Sequence, residues 1–427
     1  MVDVETTHRL VIVVRADPVI CGHAGEARNL AEAAIASGVE EVRIVTWPID
    51  ALQASGLPLK PLQSILAYSP GITVERPEPV GDYKVPDGRF ITGMAGRMVE
   101  LFSDGVPTVC VSLYLLPHAT VVADALAAAR ALGRPVRVTT VAEVVGSDIT
   151  NVMRSCVEGG RFGAAAYLFT TLLGNDHCVA VSAFTRQLVI EAAVMVDAAL
   201  GTGFAAECEA RIRVSYPAID AGAFVDLEDA AISAALARRG LEQDRYVLFL
   251  SRLTPAKGAD DLIDGYRLAA ARHRVPLVIA GTGPALPELR SRAAASAAGG
   301  GQIMFLDKVD DMEKPLLMAG CAAYVLASKP RPEFVETFGI ALAEKALAGG
   351  GPAIATMTGG IPEAVGDTAI AVPAEDPGAL ARAIDLAVID FSRQEREARA
   401  DKARAHAMQF DRSFVFQRLM EGVTVAP

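Results

Sequence analysis

The sequence predicts an α/β protein of two doubly wound, Rossmann-like domains facing each other across a cleft. Three observations lead there. The chain has 427 residues, too many for one ordinary core and enough for two domains of roughly 200 residues each. Short apolar runs alternate with helical patterns along both halves, which is the signature of sheets wound with helices. Hydrophobic residues make up 52% but aromatics only 6%, a composition that favours helices packed on sheets over an all-β core.

Residues 10–14 (LVIVV) form a continuous apolar run, the mark of a strand buried on both faces of a parallel sheet. The loop DPVICGHAGEARN leads into a helix, NLAEAAIASG, and residues 42–46 (VRIVT) supply the next strand, so a β–loop–α–β unit opens the chain. Residues 48–95, rich in Pro and Gly, read as a long irregular excursion. Strand and helix signals resume with 107–113 (PTVCVSL), a helix near 119–132 and the strand PVRVTTV. In DHCVAVSAFTRQLVIEA a strand precedes a Ser182 cap and a helix, and 211–220 (RIRVSYPAID) close a first domain set at 1–220. Residues 221–244, alanine-rich and charged, read as a linker. A fresh series fills 245–400: YVLFLSRL, a helix after Lys257, PLVIAGTG, a helix from Pro287, QIMFLDKV, AAYVLAS, a helix from Gly339, GPAIATM and a helix from Pro362. Residues 401–427 form a helical tail. Doubly wound sheets bind ligands outside the carboxyl ends of their strands, so the cleft between two of them is the expected site.

A formal net charge of −11 argues against nucleic acid and anionic membrane surfaces as partners. The six cysteines, Cys21, Cys110, Cys156, Cys178, Cys208 and Cys321, form no CxxC pair and no zinc-spaced cluster, so they read as reduced thiols of a cytoplasmic protein, with no metal site. The acidic start MVDVETTHRLVIVV lacks the basic flank of a signal peptide. The longest apolar stretch, 162–184, is broken by Asn175, Asp176 and His177, which a membrane span rarely tolerates.

The chemistry concentrates in PEFVETFGIALAEKALAGGG, at 332–351, where Glu336 and Glu344 flank the start of an apolar helix that follows a strand's carboxyl end. The first helical N–H groups are unpaired and make an anion site, and Gly339 lets backbone come close to a ligand. Glu344 lies one turn inside and its side chain leans back toward that mouth. Carboxylates beside phosphates repel them, but they suit neutral hydroxyls on either side of a diphosphate, which is the shape of a nucleotide sugar. Arg252 and Lys257, in LSRLTPAKGADDLI, supply a guanidinium and an ammonium for the diphosphate. Gly281, in AGTGP, allows another close backbone approach. Taken singly, a solvated helix face and a surface Arg/Lys pair explain the same residues.

In order, SRLTPAKG, VIAGTGP, FLDKV, LASKPRPEFVETFGIALAEKALAGG and TGGIPEAVGD cover nearly all of 245–380, and this stretch resembles the retaining family-4 glycosyltransferases of the GT-B fold. The resemblance implies that Arg252 and Lys257 hold the donor diphosphate, that Glu336 binds donor-sugar hydroxyls and that Glu344 binds the ribose. Phe338, Gly339 and Ile340 would give backbone contacts to sugar and phosphate. Pro362 and Glu363 read as structural. In the first half, VICGHAGEARNLAEAA sits where the family has a glycine-rich loop, so Gly22 and Gly25 are placed near the donor phosphate, with Cys21 standing where a second glycine is usual. SLYLLPHATVVADAL and RVTTVAEVVGSDITNV resemble the bacillithiol-pathway malate glycosyltransferases. Tyr114, Pro117 and His118 match that pattern, whereas Leu113 and Val145 stand where it has histidines. His23, Tyr114, His118 and Asp148 are the acceptor-side candidates. His118 also suits a satisfied core histidine, and Asp148 a turn cap.

The implied reaction is sugar transfer from a nucleoside-diphosphate sugar, which is substrate and not cofactor, to a small acceptor such as a natural product, an aminocyclitol or a low-molecular-weight thiol. It would proceed with retention and without a metal, with Glu336, Arg252, Lys257 and His118 as its catalytic groups. A nucleotide-sugar 2-epimerase and a non-catalytic nucleotide-sugar-binding protein are the competing readings. Homo-oligomerisation is left open.

Overall fold

The computed structural model describes residues 8–81, 88–295, 300–332 and 334–425. The acidic stretch 1–7 lies outside them. The chain forms two compact units, one of Met1–Ile219 with Arg412–Pro427, the other of Asp220–Asp411.

The first unit is built on seven parallel strands: β1 (Arg9–Val13), β2 (Glu41–Val45), β3 (Ile72–Glu75), β4 (Thr108–Leu113), β5 (Val138–Val144), β6 (His177–Ala180) and β7 (Ile212–Val214), in the order β3-β2-β1-β4-β5-β6-β7. The inner strands are apolar runs because both faces are covered. Val109, Val111 and Val141 pack beneath the Gly22–Ala36 helix, while Ala142 and Val144 join Leu168 and Phe169 on the other side. Arg9 is the exception on β1. Its buried guanidinium is offset by Glu41 at 2.8 Å and Asp104 at 2.7 Å.

The second unit has six parallel strands: β8 (Val247–Leu250), β9 (Leu277–Ala280), β10 (Ile303–Leu306), β11 (Ala323–Leu326), β12 (Ala353–Thr356) and β13 (Ile370–Val372). Their order is β10-β9-β8-β11-β12-β13. Both sheets reverse winding beside their first strand, at β1/β4 and at β8/β11. Those two switch points are where open α/β sheets take ligands.

Three expectations change. Residues 48–95 are not wholly irregular: the Ile49–Ala54 helix, edge strand β3 and the start of the Gly88–Phe102 helix lie there. Residues 221–244 contain the Asp229–Arg238 helix, which buries Ile232, Ala235 and Leu236 within the second unit, so they are part of a core and not a free linker. The tail divides at 411/412. The Arg412–Met420 helix returns to the first unit and buries Val415, Phe416 and Leu419 against Ala27, Leu30 and Ala31. Among the described residues no helix is long and apolar enough to cross a membrane. No cysteine forms a disulfide, and five of the six are buried.

Candidate functional site

The second unit's switch point gathers the residues that the sequence singled out there. After β8 the chain makes a short turn, Pro255–Lys257, and Gly258 follows with φ +72°. A Cβ at Gly258 would collide with the Ala327 carbonyl oxygen, so glycine is what lets this turn press against the end of β11. The loop after β11 is stitched to it. Lys329 donates its backbone N–H to the Ala256 carbonyl at 2.9 Å and its Nζ to Asp260 and Asp261 at 2.8 and 2.9 Å.

Lys257 is buried, and its Nζ donates to Glu336 Oε2 across the switch point. The same ammonium lies 4.8 Å from the Phe334 ring centroid. Arg252 is exposed and makes no side-chain hydrogen bond or ion pair among the described residues. Glu336 follows β11 in the loop, held from below by the Thr358–Gly360 turn, where Gly360 N–H donates to the Glu336 carbonyl at 2.9 Å. Phe338 buries its ring against Phe410, 4.9 Å between centroids, and leaves its backbone at the mouth of the helix.

The Ile340–Ala348 helix starts at Gly339, φ +99°, with no side-chain cap. Among the described residues its amides at Ile340 and Ala341 have no backbone acceptor, while Leu342 N–H turns back to Gly339. Glu344, one turn in, carries its own counterion. Lys314, in the first turn of the Glu313–Gly320 helix, donates to Glu344 Oε1 at 2.6 Å. Nothing in the local sequence pattern pointed to Lys314. Each carboxylate is therefore neutralised through one oxygen by a lysine, which is how two acids are tolerated beside an uncapped helix mouth.

Gly281 makes a close backbone approach within the protein. A Cβ there would strike the Ser251 carbonyl, and one at Gly283 the Leu253 carbonyl. The close approach these glycines permit is between the loops after β8 and β9. It holds the Arg252 turn in place.

The first unit's residues are described on their own. Gly22 and His23 open the Gly22–Ala36 helix, and Gly22 and Gly25 are exposed, with nothing within 4 Å of a Cβ at Gly25. Tyr114 is buried and accepts a 2.6 Å hydrogen bond from Arg15, whose guanidinium carbon sits 4.5 Å from the ring centroid. Burial raises its phenol to about 12. Val145, which stands where the resembled enzymes have histidine, packs with Tyr114 and Val181 in a small apolar cluster.

Asp148 bridges two loops. Its buried carboxylate accepts from Leu115 N–H at 3.0 Å, tying the loop after β5 to that after β4. Desolvation pushes it up to about 7.

His118 does not stand free as a catalytic group. It is 1% exposed, its Nδ1 lies 2.6 Å from the Leu113 carbonyl, and Trp47 Nε1–H donates to its Nε2 at 3.1 Å. Both nitrogens are satisfied by a neutral ring, and burial lowers its pKa to about 4. In the unfolded chain the imidazole titrates at its ordinary value near 6.5, so between the two values the unfolded state binds more protons and acid disfavours folding. The destabilisation caused by His118→Gln should therefore be greatest above pH 6.5 and shrink by roughly 3 kcal/mol toward pH 4. Urea unfolding of both proteins across that range measures it. A pH-independent difference would contradict the buried neutral ring.

The model of the family described as glycosyl transferases group 1 matches residues 235–406. D-inositol 3-phosphate glycosyltransferases are similar over part of the chain. The Streptomyces scabiei enzyme is 29% identical over 194 residues, 41% of this chain and 40% of its own length. That of Mycobacterium bovis is 33% identical over 183 residues, 41% of this chain and 36% of its own. The chain thus matches less than half the length of these relatives.

Solved structures align throughout. Anabaena Alr3699/HepE, in complex with UDP and glucose, superposes with a TM-score of 0.68 at 18% identity, covering 97% of this chain and 98% of that one. A Rickettsia africae glycosyltransferase superposes with a TM-score of 0.69 at 16% identity, covering 97% of each. At these identities the likeness is one of fold. A family match that fills most of the second unit, on a fold shared along nearly the whole chain, makes that unit a group 1 glycosyltransferase domain in a chain of the GT-B fold.

Proposed function

We propose that the protein transfers a sugar from a nucleoside-diphosphate sugar to a small acceptor, with retention at the anomeric carbon and without a metal ion. One observation carries this reading. At a single switch point an uncapped helix start lies between two carboxylates, each neutralised by a lysine, with Arg252 and Lys257 on the adjoining turn. Arg252, Lys257 and the amides of Ile340 and Ala341 stabilise the charge that develops on the departing diphosphate. Glu336 receives a donor-sugar hydroxyl and Glu344 a ribose hydroxyl, each on the oxygen its lysine leaves free.

The anomeric C–O bond to phosphate breaks, the acceptor oxygen bonds to the same face of that carbon, and the acceptor proton passes to the leaving phosphate oxygen. No enzymic nucleophile is needed. The Anabaena protein solved with UDP and glucose supports a uridine diphosphate hexose as donor. The relatives named for D-inositol 3-phosphate support a small polyhydroxylated acceptor, a class that includes aminocyclitols.

The test is incubation of uridine and guanosine diphosphate sugars with myo-inositol, D-inositol 3-phosphate, an aminocyclitol and a low-molecular-weight thiol. Nucleotide release and the anomeric configuration of the product are followed by NMR. A glycoside that keeps the donor's configuration is expected. An epimerised sugar from donor alone would make the protein an epimerase. Nucleotide-sugar binding without turnover across the panel would make it a binding protein.

A further inference from the structure

The first unit bridges its own switch point with different chemistry. Arg15 follows β1, Tyr114 follows β4, and the bond between them spans the place where the winding reverses. Against the Tyr114 ring stands His23, 4.7 Å between centroids in an edge-to-face contact, in the first turn of the Gly22–Ala36 helix. His23 Nδ1 lies 3.4 Å from Glu26 Oε2. Glu26 is 3% exposed and Glu143, the penultimate residue of β5, is 1% exposed.

Glu26 and Glu143 are hydrogen-bonded to each other, which two carboxyl groups manage only when one keeps its proton. Burial and the neighbouring Glu26 charge raise Glu143 far above the usual carboxylate range, so Glu143 is the acid that donates and Glu26 the carboxylate that accepts. Glu143 Oε1 has no hydrogen-bond partner among the described residues. An orphaned oxygen and a buried acid pair cost stability, and the surrounding apolar core does not require them. What they accomplish is visible at His23. A carboxylate on Nδ1 holds the ring in the Nδ1–H tautomer and leaves Nε2 as a lone pair. The side chain is 19% exposed, and Nε2 has no hydrogen-bond partner among the described residues.

We propose that His23 binds the acceptor by taking a hydroxyl hydrogen bond on Nε2, and that Glu26 and Glu143 are positioning residues that fix its tautomer. A neutral lone pair selects an O–H donor and gives nothing to a phosphate, so it belongs to a polyol and not to the diphosphate of the sugar donor. The inference rests on the transfer reading above.

The test is steady-state kinetics with UDP-glucose as donor and myo-inositol as probe. His23→Ala should raise the myo-inositol KM about tenfold, the worth of one hydrogen bond, and leave the UDP-glucose KM alone. His23→Gln, whose amide oxygen reaches the Nε2 position, should recover most of that loss, and His23→Asn should not. Glu26→Gln should raise the same KM. Glu143→Leu should raise it too, and Glu143→Gln, which can still donate to Glu26, should reverse the effect. An unchanged myo-inositol KM in His23→Ala, or no recovery in His23→Gln, overturns the assignment while transfer itself stands. A wild-type protein that turns over neither myo-inositol nor any other acceptor removes the transfer reading and this inference with it.

Discussion

Replacing Arg252 and Lys257 together by alanine is expected to weaken UDP binding by about 4 kcal/mol, roughly a thousandfold in Kd. On the proposed reading each cation makes a charge-assisted contact with the diphosphate, worth about 1.5–3 kcal/mol. The two single variants should not add up to the double. Arg252 is exposed and has no other side-chain bond among the described residues to lose, so its removal should subtract one phosphate contact. Lys257 is already bonded to Glu336, and its ammonium neutralises that carboxylate before any ligand arrives. Lys257→Ala therefore removes a phosphate contact and also leaves a half-buried carboxylate bare beside the diphosphate, where like charges repel. Adding Glu336→Gln to Lys257→Ala should restore part of the lost affinity, a coupling that a double-mutant cycle by titration calorimetry reads directly. UDP binding unchanged in the Arg252/Lys257 double variant would remove the diphosphate assignment.

The grouping of residues at this switch point was legible because its pieces are local. Arg252 and Lys257 share one turn, and Glu336, Gly339 and Glu344 share one loop and helix start, so spacing along the chain carries their geometry. Lys314 was not legible. It meets Glu344 only because the Glu313–Gly320 and Ile340–Ala348 helices pack side by side, and no local pattern encodes that pairing.

The first unit shows the same division. Ser182 was read as a cap and does accept from Thr185 N–H at 3.0 Å, a contact three residues long. The partner that satisfies His118, Trp47, lies 71 residues away, and so the sequence left both readings of His118 open, catalytic group and satisfied core histidine. Glu143 stands inside VAEVV, where its neighbours declare a buried strand and say nothing of Glu26 on the buried side of the facing helix. Strand β3 escaped notice for a related reason. Four residues, ITVE, three half-exposed and one exposed, need no apolar run to hold their place at a sheet edge.

Glu336→Gln should separate binding from turnover more sharply than any other single change. The carboxamide keeps the shape of the side chain but gives up its charge, and with it the strong acceptor offered to a sugar hydroxyl. Turnover should fall about a hundredfold, in line with the loss of one charged hydrogen bond of roughly 3 kcal/mol. UDP affinity should move the other way. In the free protein Glu336 competes with phosphate for the Lys257 ammonium, and a neutral carboxamide competes far less. The variant is expected to bind UDP as tightly as the wild type or several-fold more tightly. Calorimetry of UDP binding beside single-turnover sugar release measures both halves. Turnover within threefold of the wild type would deny Glu336 its sugar contact. Weakened UDP affinity would mean that the carboxylate supports the nucleotide itself, and that the bond to Lys257 organises the phosphate site and does not oppose its filling.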